Sequence, residues 1–344
     1  MKILDATIRD GSYYVDFKFS CDDVRDIVGR LSKLGFEYIE IGHGKGLSAS
    51  SAENGFSLHT DEEYMKAAAE VSGNSKIGFF CIPGIAKLAD LRLAAENNVK
   101  FIRIGCNATE VYKAEDYVRE AKRLGLEVMV NFMKTYAITP DEFARKSLEI
   151  EKWGADCVYV VDSSGGMLAQ QIEDYYRALR SLTGLKIGFH GHNNIGLAVS
   201  NSICAIEMGY DFVDTTMQGV GRSAGNAMAE QLIMALKKKG YNLEYDIPRL
   251  LEYGFVINRE IINRPSINPL DLICGYADFH SSYLNSIYRC CIDMKVDPLR
   301  LIILYSEYDK VTMDYKKLCE IAQKLPIDKE KNPYDFREFF TYCM

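Results

Sequence analysis

Two histidines separated by one residue, His190 and His192, close the apolar run that begins at Lys186. Side chains two apart on an extended strand share a face, so both imidazoles would address one point. Asp10, in the triplet Arg9-Asp10-Gly11 after the first apolar run, offers a carboxylate. Two nitrogens and one carboxylate leave coordination positions open for substrate and water. Such a mixed set suits a divalent ion, Mn²⁺ first, with Mg²⁺, Co²⁺ and Zn²⁺ open. Arg9 carries a planar fork that matches a carboxylate or an enolate oxygen. A metal and a guanidinium beside one substrate oxygen stabilise the charge that develops when a bond α to a carbonyl breaks. Reversible carbon–carbon cleavage fits that electrostatics. A lone His-x-His is more often structural, and a lone Arg is more often on the surface; what strengthens this reading is where the strand order places these residues.

Eight short runs rich in Val, Ile and Phe begin near Lys2, Tyr38, Lys76, Phe101, Glu127, Cys157, Lys186 and Phe212, 25 to 38 residues apart. That spacing accommodates a strand, a helix and two loops, and so predicts parallel pairing. Between the runs lie helical patterns with ordinary start and stop signals, such as Thr139-Pro140 before one helix and Gly35 after another. Eight βα units predict an α/β fold, a (β/α)8 barrel over residues 1–250, in which reacting groups stand at the C-terminal strand ends. The first, sixth and seventh strands end at Asp10, Ser163 and His190 to His192, respectively. Residues 251–344 read as a smaller helical domain, with helices at Pro248–Tyr253, Leu270–Ile292, Leu299–Ser306 and Tyr315–Leu325. The polar segment Lys331–Asp335 reads as only partly ordered.

The chain has 41 basic and 48 acidic residues, a net charge of −7, which argues against nucleic acid as a partner. With 48% hydrophobic and 26% charged residues it can bury a sizeable core. No apolar stretch approaches the ~20 residues of a membrane helix, and the N-terminus carries no apolar signal core. A cytoplasmic location away from membranes is expected. The ten Cys are scattered without a Cys-x-x-Cys pair and read as core thiols. The adjacent Cys290-Cys291 predicts a helix with one thiol inward and one outward.

Taken together, Asp5-x-Thr7-x-Arg9-Asp10-Gly11, Gly42-His43-Gly44-x-Gly46-Leu47, Gly55-Phe56, His59-Thr60-Asp61, Pro83-Gly84-Ile85, Asp162-Ser163, His190-x-His192-Asn193 and Gly219-x-Gly221-x-x-Ala224-Gly225-Asn226-Ala227 carry a resemblance over most of the chain. Gly275-Tyr276-Ala277 and Ser281-Ser282 extend it into the tail. The chain resembles the metal-dependent pyruvate aldolases of the 4-hydroxy-2-oxovalerate aldolase type, within the HMG-CoA-lyase-like and isopropylmalate-synthase-like barrels. The resemblance implies that Asp10, His190 and His192 hold the metal, that Arg9 stabilises a pyruvate enolate, and that Ser163 binds the pyruvate carboxylate. Asn226 is either near the metal or a shaping residue of the glycine-rich loop. His43 and His59 are expected to hydrogen-bond around the site rather than to ligate. Small 2-oxo acid and aldehyde substrates follow. A partner acylating aldehyde dehydrogenase and a homo-oligomer are open.

Two departures matter. Where these aldolases place a His base two residues after Arg-Asp-Gly, this chain has Tyr13; where they place a Tyr before Ser-Ser, it has His280. The exchange suggests that His280, with an ordinary pKa near 6.5, transfers the proton while Tyr13, near 10, orients the substrate hydroxyl. The alternative is that His280 is a rim residue and the acceptor differs from a simple aldehyde. Arg222, in the loop after strand eight, would then receive a carboxylate, phosphate or nucleotide, or simply face solvent. Two further functions stay open: an acyltransferase joining acetyl-CoA to a 2-oxo acid, and a non-catalytic metabolite-binding barrel.

Overall fold

The computed structural model describes residues 1–262, 269–325 and 337–340. Eight strands, β1 (Lys2–Asp5), β2 (Tyr38–Ile41), β3 (Lys76–Cys81), β4 (Phe101–Asn107), β5 (Glu127–Met133), β6 (Cys157–Asp162), β7 (Lys186–Gly191) and β8 (Phe212–Thr215), pair in sequence order. Every pair is parallel, and β8 closes on β1 through Lys2 opposite Phe212 to Asp5 opposite Thr215. The fold is the expected (β/α)8 barrel. Outward residues such as Ile39, Phe79, Val128 and Ile187 are buried beneath the surrounding helices in one continuous cluster. The helices start and stop by local chemistry. Ser20 and Asp23 form a reciprocal cap on Cys21–Leu34, which ends at Gly35 in the left-handed region, φ +92°.

Inside the barrel, alternate strands contribute layers of side chains. Tyr38, Phe101, Cys157 and Phe212, all from even-numbered strands, form the lower layer of a second apolar cluster. Two residues further along the same strands stand Glu40, Arg103, Tyr159 and Asp214, all buried. The intervening odd strands make room with glycine: a Cβ on Gly78 would collide with the Phe101 ring, and one on Gly188 with the Tyr159 ring. The lower barrel is therefore filled, and the accessible chemistry is confined to the C-terminal mouth.

Three expectations need correction. Asp10 and Arg9 do not close β1; they lie on a helical turn, Thr7–Gly11, that begins where Asp5 accepts hydrogen bonds from the Thr7 N–H and hydroxyl, both at 2.9 Å. The single helix expected over Leu270–Ile292 is two, Pro269–Tyr276 and Leu284–Met294, because Asp278 takes a left-handed conformation, φ +53°, that ends the first. Cys290 and Cys291 are both buried, since Leu284–Met294 is covered by Pro298–Tyr308 on one side and Tyr315–Ala322 on another. The Cys290 and Cys319 sulfurs lie 3.9 Å apart. Six of the nine described Cys are buried, as core thiols should be. The Lys331–Asp335 segment lies outside the described residues.

Gly188→Ala should destabilise the barrel by about 1–3 kcal/mol through overpacking against Tyr159. Gly184, with nothing within 4 Å of a built Cβ, is the control; Gly184→Ala should stay within about 0.5 kcal/mol. Denaturant midpoints at constant m-value make the comparison, and equal midpoints would show that the interior has slack.

Candidate metal centre

The first-turn carboxylate and the two imidazoles meet. Asp10, His190 and His192 are all buried, and each offers one ligand atom within 4.8 Å of the others. The turn after β1 delivers Asp10, β7 ends on His190 and Gly191, and His192 follows immediately. Each imidazole is oriented by its far nitrogen. His190 Nδ1 donates to Asp214 Oδ2 at 2.8 Å, turning Nε2 toward Asp10 Oδ2 at 3.8 Å. His192 Nδ1 donates to the Gly225 carbonyl at 3.2 Å. Such partners fix tautomer and ring direction in metal-binding histidines.

Asp214 belongs to a closed circuit. Arg103 donates to Asp214 and, at 2.9 Å, to Glu40 Oε2. Arg9 Nε donates to the same Glu40 oxygen at 2.8 Å, and Arg9 Nη1 to Asp10 Oδ1 at 2.9 Å. The order is Asp10, Arg9, Glu40, Arg103, Asp214, His190 and back to Asp10. Arg103 lies over the Tyr159 ring, 4.4 Å from its centroid, and Arg9 lies 5.0 Å from that of Phe80. Three carboxylates against two guanidinium groups leave one negative charge. The circuit is thus short of positive charge at the point where the three ligand atoms converge.

The titration shifts agree with this balance. Burial alone would raise the Asp10 pKa, but Arg9, His192 and His190 hold it well below the usual carboxylate range. Asp214 is likewise held low against burial, by Arg103 and His190. Burial pushes His192 down to about 4, so its ring is neutral and able to ligate at pH 7. Asn226 donates to Asp10 Oδ2 at 2.5 Å, while its own Oδ1 is buried without a partner beside the ligand set. An orphaned acceptor there is what a cation would satisfy. A Cβ on Gly221 would come within 3.0 Å of Asp10 Oδ2 and collide with Asn226, so the loop needs glycine at this position. The residues present fit a divalent cation.

The other expected residues form a second group at the mouth. Arg222 Nη2 donates to His280 Nδ1 at 3.2 Å and Arg222 Nε to Ser281 Oγ at 3.1 Å, with the guanidinium 5.4 Å from the Tyr13 centroid. Tyr13, Arg222 and His280 are therefore neighbours. Ser163 is buried, and its Oγ accepts the Lys134 backbone N–H at 2.9 Å, leaving the hydroxyl proton to donate elsewhere. His43 does not join the ligands: its ring stacks on Phe17 with centroids 4.0 Å apart, and its Nδ1 accepts the Lys45 N–H at 3.0 Å. It shapes the loop whose Gly44 lies against the Tyr13 ring. His59 is remote, 3.8 Å from Glu63 on the helix Asp61–Ala69. Sequence reasoning missed Glu40, Arg103, Asp214 and Lys134. The available signal was a lone charge at an inward position of an apolar strand in the first three, for instance Arg103 within Phe101-Ile102-Arg103-Ile104.

A family model described as HMGL-like matches residues 1–257. The chain is 33% identical to 4-hydroxy-2-oxovalerate aldolase from Carboxydothermus hydrogenoformans, over 94% of this chain and 97% of that one. It is 40% identical to oxaloacetate decarboxylase from Mycobacterium tuberculosis, over 73% of this chain and 74% of that one. HMG-CoA lyase from Brucella melitensis shares the fold, with a TM-score of 0.65 at 17% identity, covering 76% of this chain and 99% of that one.

Asp214→Asn should weaken divalent-cation binding, read with Mn²⁺ as the probe, by about 10–100-fold, because it loosens His190 without removing any of the three candidate ligands. Calorimetric titration of the metal-free protein reads the change. Unaltered affinity would mean that the circuit does not position the imidazole.

Proposed function

The chain belongs to the HMGL-like family, and on that premise we propose a divalent-metal-dependent aldolase, a carbon–carbon lyase that cleaves or forms a 4-hydroxy-2-oxo acid through the enolate of pyruvate. The observation that carries this reading is the convergence of Asp10, His190 and His192 beside the Arg9 guanidinium. These three residues would hold the ion, Mn²⁺ by preference, and it would supply positive charge to the oxygen that becomes the enolate. Arg9 Nη2 has no hydrogen-bond partner among the described residues and is available to the same oxygen. Ser163 would donate its hydroxyl proton to the pyruvate carboxylate. In cleavage the C4 hydroxyl gives its proton to solvent water, the C3–C4 bond breaks, the electron pair passes to C3 and the C2 oxygen, and an aldehyde leaves. Protonation at C3 gives pyruvate.

The C4 oxygen is assigned in this proposal to Tyr13 and His280, which share Arg222 as a neighbour. Two obligate donors, Arg222 Nη2 and the Ser282 N–H at 3.2 Å, address His280 Nδ1. Nδ1 is therefore unprotonated and the neutral ring presents Nε2–H. Burial, then Arg222 and Lys134, lower the His280 pKa well below its ordinary value. The proposed role of His280 is accordingly that of a neutral hydrogen-bond donor, Nε2–H to the C4 oxygen, which keeps its proton in both directions. Burial raises the Tyr13 pKa against Arg222, so its hydroxyl is protonated and orients the same oxygen.

The two lyase relatives favour cleavage over acetyl-CoA condensation or a binding-only barrel. The oxaloacetate decarboxylase relative supports one second reading, loss of CO2 from oxaloacetate, which passes through the same pyruvate enolate. A barrel over 1–250 and a helical part over 251–344 belong to the proposal. The separate burial of Leu270 to Phe340 supports the division, while Ile257 and Ile262 bury with the barrel and move the seam past Ile262. Cytoplasmic residence, a homo-oligomer and a contact with an acylating aldehyde dehydrogenase complete it. Among the described residues no helix is long and apolar enough to cross a membrane.

Asp10→Asn or His190→Ala should reduce pyruvate release from a 4-hydroxy-2-oxo acid by about 10³-fold or more. Wild-type rates without bound metal would end the proposal, and CO2 from oxaloacetate at a higher kcat/KM would select the second reading. For His280, kcat/KM should show no imidazole inflection near pH 6.5, because the ring is neutral throughout that range. His280→Gln, which keeps a donor, should stay within about 10-fold of wild type while His280→Ala loses about 10²-fold. An inflection that disappears in both variants would restore His280 as a base.

A further inference from the structure

The barrel mouth contains cations that the enolate chemistry leaves unused. Arg222 spans Tyr13 and the turn Ser281–Tyr283 preceded by His280, through Ser281 Oγ, His280 Nδ1 and the Tyr13 ring. Lys134, just past β5, reaches the same turn: its Nζ donates to the Tyr283 hydroxyl at 2.7 Å and to the Val311 carbonyl at 2.5 Å. Lys45, after β2, donates to Asn54 Oδ1 at 2.8 Å. None of the three has a carboxylate within 4 Å among the described residues, whereas the other two buried cations of the barrel, Arg9 and Arg103, are both ion-paired.

Lys134 is the most telling. It is only 7% exposed, so its ammonium has lost water and gained neutral oxygens alone, a costly exchange for a charge. Its backbone is held in the left-handed region at φ +57°, which a lysine seldom adopts, and its N–H is fixed by Ser163. Its pKa is pushed down to about 8, by burial and then by the charge of Arg222, against the more distant carboxylates of Asp309 and Glu110. Lys45 is lowered by the same two causes. Like charges crowded into a desolvated mouth create a positive potential that an incoming anion would relieve.

The position indicates which part of the substrate would carry that anion. Arg9, Ser163 and the ligand set account for the pyruvate end. In the proposed mechanism Tyr13 and His280 address the C4 oxygen, and Arg222 contacts both of them. The geometry points to an anion subsite, formed by Arg222 and Lys134 on the His280–Tyr283 turn, that receives a carboxylate or phosphate on the aldehyde portion of the substrate. This rests on the aldolase reading and deepens it: the 4-hydroxy-2-oxo acid carries a second anionic group beyond the bond that breaks.

The test uses metal-loaded protein in the condensing direction, with pyruvate and each of propanal, succinic semialdehyde and glyceraldehyde 3-phosphate. One anionic aldehyde should exceed propanal in kcat/KM by about 10²-fold, the semialdehyde if the group is a carboxylate and the phosphate ester if it is a phosphate. Lys134→Met and Arg222→Gln should each reduce that ratio by about 10–100-fold, as expected for a lost charge-assisted hydrogen bond. Lys134→Arg should restore part of it. Propanal used as well as the anionic aldehydes, or a ratio that neither variant changes, would overturn the subsite. Calorimetric titration with succinate and with inorganic phosphate needs no turnover: wild type should bind one of them at least 10-fold more tightly than either variant, and equal binding would overturn the subsite independently. Exchange of pyruvate methyl protons in deuterium oxide reads the aldolase proposal separately. Exchange without anion discrimination removes the subsite alone; anion binding without exchange removes the aldolase reading and leaves the subsite.

Discussion

The buried circuit from Asp10 through Arg9, Glu40, Arg103 and Asp214 to His190 is the constraint on which the mouth of this barrel depends. Charges this deep are costly unless every one is paired, and pairing at such depth is directional, because each hydrogen bond fixes a side-chain rotamer. Arg103, fully buried, shows the interdependence most clearly: without it Glu40 would keep only Arg9, and Asp214 only the His190 hydrogen bond. The circuit therefore holds a carboxylate and an imidazole in a ligand arrangement before any ion arrives. Its single excess negative charge supplies the attraction for that ion. Preorganisation and charge balance come from the same six side chains.

That circuit in turn depends on the way a parallel barrel fills its interior. Glu40, Arg103 and Asp214 come from alternate strands and stand in one layer with Tyr159, directly above the aromatic floor of Tyr38, Phe101 and Phe212. The floor fits because Gly78 lacks a Cβ beside Phe101, and Tyr159 fits above it because Gly188 does. With the space below occupied by rings, the polar layer has only the C-terminal mouth to address, and the loops after β1, β7 and β8 converge there. Local backbone chemistry then sets the aim. Asp5 starts the turn that swings Arg9 and Asp10 inward, and the Gly225 carbonyl orients His192.

Much of this was readable before any coordinates. The rhythm of eight apolar runs gives the barrel, and the barrel's polarity turns an otherwise ambiguous His-x-His into a mouth-facing pair. The rest of the circuit was not readable, because Glu40, Arg103 and Asp214 are each a single charge in a short apolar strand, linked across 31, 63 and 111 residues. Nothing local distinguishes Arg103 paired inside a barrel from an arginine at a strand edge. Asp278 and Cys290-Cys291 misled for a related reason: apolar spacing reports a helical face but not a left-handed break within it, nor how many neighbours cover it. Lys134 gave no signal at all, since its burial arises from the turn at His280–Tyr283, almost 150 residues further on.

The two halves of the mouth are built differently. The side that would hold pyruvate belongs to strand ends and the first turn, tied together by buried ion pairs and therefore rigid. The side that would meet the aldehyde is assembled from the loop after β8, the residue after β5 and a turn of the helical tail, joined by Arg222 and Lys134 through neutral groups. A change in the first disturbs charge balance in the barrel interior, whereas a change in the second alters only what lies at the rim. Enolate formation is thereby insulated from the choice of acceptor. The Tyr13 and His280 exchange fits this division, since both residues sit on the rim side, against Arg222, while every member of the buried circuit lies on the other.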